Sequence, residues 1–128
     1  MAESIQALGG AIEYTAVSEW DLSAKQYLGV RMGLNTDNTV RVASLVGINI
    51  VGIVQNKPTS GRAARVRTHG LPKAGAGAGI TRGDRVDVDA GGYFRTTVSS
   101  NYAGSARDTV VASGTFSMIL NPQYGGAA

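Results

Sequence analysis

The stretch "LPKAGAGAGITRGDRVDVDAGGYFRTT", residues 71–97, holds three patterns that each suggest chemistry: a glycine-rich run, an RGD and three spaced aspartates. The run "KAGAGAG" lacks the lysine followed by Ser or Thr with which a P-loop holds phosphate and magnesium. Alternating Gly and Ala reads instead as a tight structural loop between strands, since glycine accepts positive φ. The RGD at Arg82, Gly83 and Asp84 falls where a strand begins, with Gly83 as the turn residue and Val86 as the first inward position. Asp84, Asp87 and Asp89 do not fit the EF-hand, which needs glycine at the sixth loop position and Glu at the twelfth. What remains is a β-strand: in "DRVDVDA" Val86 and Val88 share one face, with Arg85, Asp87 and Asp89 on the other.

The same period of two recurs outward along the chain. Leu28, Val30 and Met32 align in "QYLGVRM", Val40 and Val42 in "NTVRVAS", and Phe116, Met118 and Leu120 in "GTFSMIL". Val66 faces inward between Arg65, Arg67 and His69. "LVGINIVGIVQ", residues 45–55, differs in being apolar on both sides, and reads as one strand covered on both faces, by the core or by another subunit. "NTDN" at 35–38, "KPTSG" at 57–61 and "DAGG" at 89–92 supply turn residues between these runs. With 128 residues, 18 glycines and 6% aromatics, the chain is expected to form one all-β domain, a small β-barrel or β-tulip. No internal repeat stands out. The domain is assigned to residues 13–121, with an N-terminal arm at 1–12 and a C-terminal tail at 122–128 that order only against a partner.

The absence of cysteine removes disulfides and thiolate chemistry, and the single histidine, His69, removes paired-His metal sites and HExxH. No serine sits in a G-x-S-x-G elbow. No catalytic residue, metal site or cofactor is therefore expected, and the chain does not read as an enzyme. The first residues lack a signal-peptide pattern, and no apolar run approaches the roughly 20 residues of a membrane helix. Net charge is +3, with the positive charge gathered in the middle. Arg65 and Arg67 are expected to pair with Asp87 and Asp89 across neighbouring strands as a charge ladder. An alternative reading is an OB-like module for single-stranded nucleic acid, using Arg62, Arg65 and Arg67 with Tyr93 and Phe94 as stacking aromatics.

The punctuation of the chain resembles the capsid cement, or head-decoration, proteins of tailed phages. The residues that carry the likeness are Gly70 after a valine-bearing strand, Gly83–Asp84 before "RVDV", and Asp89 and Gly92 before Thr96, Thr97 and Val98. Gly104, Ala106, Ser113 and Gly114 follow in the closing "GSARDTVVASGTFSMIL", and "LVGINIVGIVQNKPTSGRAARVRTHG" is similar to the family's upstream unit. The likeness covers roughly residues 27–120. It implies a β-domain on the exterior of the virion, made in the host cytoplasm, that binds the major capsid protein where capsomers meet. It also implies a homo-oligomer, often a trimer, with no specific nucleic acid and no membrane as partner. Ile5, Leu8, Ile12, Tyr14, Trp20, Ile48, Ile50 and Ile53 are the residues expected at the capsid or subunit interface.

Overall fold

The computed structural model describes residues 12–34, 37–44 and 47–123, and these form ten β-strands and no helix. β1 (Ile12–Ser18), β2 (Gly29–Met32), β3 (Thr39–Val42), β4 (Gly52–Val54) and β5 (Ala63–His69) close into a barrel in the order β1-β3-β2-β4-β5. Closure runs through the antiparallel β1–β5 pair, in which Tyr14 faces Val66 and Thr15 faces Arg65. β1 and β3 run parallel, over Val17–Thr39 and Ser18–Val40. A closed barrel leaves no open sheet edge, and its strands alternate inward and outward side chains. β5 shows this cleanly: Ala64 and Val66 are buried, and Arg65 and His69 are exposed.

β6 (Lys73–Gly75), β7 (Arg85–Val88), β8 (Phe94–Thr96), β9 (Tyr102–Ala106) and β10 (Thr115–Gln123) form a second sheet in the order β6-β10-β9-β7-β8. A parallel bridge between Ala76 and Phe94 links its two edges, so this sheet also rolls up. The two units are joined by backbone: Gly70 bridges Leu120, Gly29 N–H donates to Gly92 O at 2.9 Å, and Gly75 N–H donates to Tyr27 O at 2.9 Å.

Two hydrophobic clusters follow from this arrangement. Ala16, Leu22, Val30, Val40, Val54, Ala64 and Val66 fill the barrel. The larger cluster gathers Val86, Val88, Phe94, Phe116, Met118 and Leu120, together with Ile50 and Ile53 from the barrel side. Phe94 and Phe116 meet edge to face at 6.4 Å between centroids. Such a pair is worth about 0.5–1.5 kcal/mol beyond the area it buries.

This division corrects the reading of residues 45–55. Among its described residues only Gly52–Val54 is strand; Gly47 turns the chain at φ 71° and its N–H donates to Val88 O at 3.0 Å. The segment is apolar on both sides because it stands between two cores: Val54 points into the barrel, and Ile53 into the second cluster. The glycine–alanine run is a loop only in its second half, since Lys73–Gly75 is β6 and pairs with β10, Phe116 opposite Ala74, while residues 77–79 are irregular. Small residues are needed there because Leu28 packs directly over Gly75, 3.2 Å from where a Cβ would stand. The expected outer boundaries also shift, as β1 takes in Ile12 and β10 extends to Gln123.

The second sheet contains a repeat that the sequence hides. Residues 103–118 reproduce the pairing of residues 73–88, each residue thirty positions after its counterpart. Thr115–Gly75 and Phe116–Ala74 in the β10–β6 ladder correspond to Arg85–Ser105 and Val86–Gly104 in the β7–β9 ladder. Ile80 and Val110 bridge each other with reciprocal 2.9 Å hydrogen bonds, on the local two-fold axis. The bonds Asp84 N–H to Thr81 O, Gly83 N–H to Ala106 O and Ala106 N–H to Asp84 O each have a twin. The twins are Gly114 to Val111, Ser113 to Ala76 and Ala76 to Gly114, and all six lie between 2.8 and 3.0 Å. Each hairpin therefore pairs with the other copy's strand, so neither half can complete its ladders alone.

Candidate interaction surfaces

Trp20 stands at the end of the barrel where β1, β2 and β3 converge. Its ring lies 4.2 Å from the Arg41 guanidinium, which forms a salt bridge with Glu19. Glu19 is fixed in turn: Arg41 Nε donates to Oε1 at 2.5 Å, and Leu34 N–H to the same oxygen at 3.3 Å. The pair is mostly shielded from water, and removing one partner from such a pair costs about 3–5 kcal/mol. Trp20 and Leu34 at the clamp, and Val17 and Met32 on β1 and β2, are all exposed, with Leu34 the most open at 63%. Leu34 is tied to the clamp by its N–H bond to Glu19, whereas Val17, opposite Thr39, and Met32, opposite Val40, leave their strands on opposite faces. Beside Trp20, the carboxyl of Asp21 is held below its ordinary value, chiefly by the hydrogen bond from the Ser23 backbone N–H.

The other expected interface residues separate. Ile50 and Ile53 belong to the core, at 4% and 0% exposure, and offer no surface. Ile48 is half-buried against the same core. Ile12 and Tyr14 are placed by their backbone in β1, and Ile5 and Leu8, with the N-terminal arm, lie outside the described residues.

The charge ladder does not form. Arg65 and Arg67 are on β5 of the barrel, whose neighbours are β1 and β4, whereas Asp87 and Asp89 belong to the second sheet. Asp87 stands opposite Arg95 of β8 and is buried, its carboxylate accepting from Val88 N–H at 2.9 Å. Asp89 instead shapes the turn after β7, with Oδ1 accepting from Gly91 N–H at 2.8 Å and Tyr93 N–H at 3.1 Å. The RGD is the turn that its sequence suggests: Gly83 has φ 94°, and Asp84 Oδ2 accepts from Thr81 N–H at 2.9 Å and from the Thr96 hydroxyl at 3.0 Å. Phe94 is fully buried, which removes the adjacent aromatic pair on which the nucleic-acid reading depended. Among the described residues, no cluster of three His, Cys, Asp or Glu side chains is arranged to hold a metal ion.

Trp20 is marked in the sequence by its residue type alone; Met32 is expected on a strand face with Leu28 and Val30, and Leu34 carries no signal.

The fold is similar to that of the head fiber gp8.5 N base of bacteriophage phi29, with a TM-score of 0.70 and 15% sequence identity. The match covers 87% of this chain and 94% of that one. No protein-family model matches the sequence, and no curated protein matches it.

Proposed function

We propose that this protein is a structural component of a phage head that binds the outside of the assembled capsid and cements contacts between coat subunits. The observation that carries this reading is the fold, shared over nearly the whole chain with a head-fibre base. The punctuation of the sequence points the same way independently. Repeated docking on a shell requires surface complementarity and no reaction chemistry, and many copies make modest single contacts sufficient.

The contact surface in this proposal is the Trp20 end of the barrel. Tryptophan, arginine and methionine are the residue types enriched at protein interfaces, and a rigid aromatic over a clamped arginine needs little ordering on binding. The partner is the major capsid protein, met by a homo-oligomer with a trimer favoured.

Co-sedimentation tests the proposal. The protein should pellet with assembled capsids and remain in the supernatant with free coat subunits. Trp20→Ala should lower capsid binding at least about tenfold, the loss of roughly 1.4 kcal/mol or more expected at a hot spot. Its melting temperature should stay near the wild-type value. Equal binding to free subunits, or none to capsids, contradicts the proposal.

A further inference from the structure

The local two-fold of the second sheet exposes an asymmetry with a chemical meaning. Near β6 lies an open hollow of about 280 Å³, lined by Ala76, Gly77, Asp89, Tyr93 and Ser113. Two of these positions differ from their twins in ways that the fold does not require. Ser113 holds φ 70°, where its twin Gly83 holds φ 94°. A non-glycine residue in the left-handed region costs about 1–2 kcal/mol, and such strain collects at functional positions. At the twin position the fold uses the unstrained residue, so the serine hydroxyl is retained beside the hollow at a cost.

The second difference makes the hollow itself. Gly77 corresponds to Arg107 in the other copy. A Cβ at 77 would stand 2.7 Å from Asp89 Oδ2 and 3.0 Å from Tyr93 Cβ, so any side chain there would intrude on both. Asp89 uses Oδ1 for the turn, accepting from Gly91 and Tyr93, which leaves Oδ2 directed over Gly77. Among the described residues, none donates a hydrogen bond to that oxygen. Tyr93 is 40% exposed and borders the same space.

We propose that this hollow is a seat for a cationic side chain, a lysine ammonium or arginine guanidinium presented by a partner protein. The three groups that converge on it match that chemistry. Asp89 Oδ2 supplies a carboxylate acceptor, Ser113 a hydroxyl acceptor, and Tyr93 an exposed aromatic ring of the kind that attracts cations. Glycine at 77 keeps the floor open, where the twin position bears an arginine of the chain's own. This proposal stands on the hollow's geometry and does not depend on the capsid reading.

Amide chemical shifts of the full chain test it, with N-acetyl-arginine amide and N-acetyl-lysine amide as probes. N-acetyl-citrulline amide and N-acetyl-norleucine amide serve as neutral controls, and methyl glucoside as a polar one. The cationic probes should move the amides of Gly77, Asp89, Tyr93 and Ser113 saturably, and added salt should weaken them. Asp89→Asn keeps an Oδ1 acceptor for the turn but loses the charge, so it should retain the fold and weaken binding at least about tenfold. Ser113→Gly separates binding from architecture: it should raise the melting temperature while weakening the probe. Equal shifts from citrulline or norleucine, preference for the glucoside, or no saturable shift up to the solubility limit of either cation would each overturn the proposal. So would unchanged binding in Asp89→Asn.

Discussion

Residues 73–88 and 103–118 share one hydrogen-bond pattern on side chains that agree only at Ala76 and Ala106. The comparison separates what the backbone needs from what each copy adds. Both copies need an inward residue at the second position of the paired strand, and Val86 in one is Phe116 in the other. Both need a residue at positive φ in the turn, met by Gly83 in one and Ser113 in the other. The surfaces then diverge. The first copy carries the acids Asp84 and Asp87 and leaves a hollow at Gly77, while the second places Arg107 at the matching site.

The largest expected effect lies in the core pair. Phe116→Ala should cost roughly 3–5 kcal/mol, because it removes a buried ring and its contact with Phe94. Val86→Ala should cost about 2 kcal/mol, since far fewer carbons leave the core. Urea titrations of the two variants measure the difference, and equal losses would show that the two halves pack alike.

Next comes the pair Gly104 and Ala74, equivalent in the repeat: Gly104 lies between Val86 of β7 and Leu120 of β10, whereas Ala74, on an edge strand, faces only Phe116 of β10. A Cβ at Gly104 would stand 2.1 Å from the Ile119 carbonyl oxygen, a backbone atom that cannot swing away. Gly104→Ala should therefore destabilise by about 1–3 kcal/mol through overpacking. Ala74→Gly should cost only about 1 kcal/mol, the usual penalty for glycine in a regular element. Reversal of that order in thermal melts would break the equivalence of the two ladders.

The smallest effects concern the turns. Gly83→Ala should destabilise by about 1 kcal/mol from backbone conformation alone, because nothing lies within 4 Å of the added methyl. Ser113→Gly should stabilise by a few tenths to about 1 kcal/mol, the strain relieved less the entropy that glycine adds to the unfolded chain. Matched calorimetry of these two variants sharpens the comparison, and a loss of stability in Ser113→Gly would contradict it.

Much of the fold can be read from the sequence wherever one face of a strand meets water. The alternations at Val40, Val66, Val86 and Phe116 assigned strand and inward face together, because period two is decisive for a half-buried strand. Asp87 shows the limit: it is outward by parity yet buried, with Gly47 packed beside its carboxylate. Strand order has no local signature either, so Arg65 and Asp87 looked like partners although they belong to different sheets. The repeat was silent for a related reason. It resides in backbone hydrogen bonds, which almost any small or β-compatible side chain can satisfy. Trp20 was legible as an interface residue by type alone, while the company it keeps on the barrel end depends on how β1, β2 and β3 converge.

In the proposed function the protein holds a phage head together from outside. Binding selectively to the assembled shell must stabilise that state by mass action. The most direct measurement heats filled particles that lack only this protein, with and without purified protein added back to saturation, and follows DNA release. The account predicts that restored heads retain DNA at temperatures where bare heads release it, and that protein carrying Trp20→Ala fails to restore retention at the same concentration. Identical release temperatures for bare and saturated heads would contradict cementing, and would leave attachment of the protein to the head as display without mechanical support.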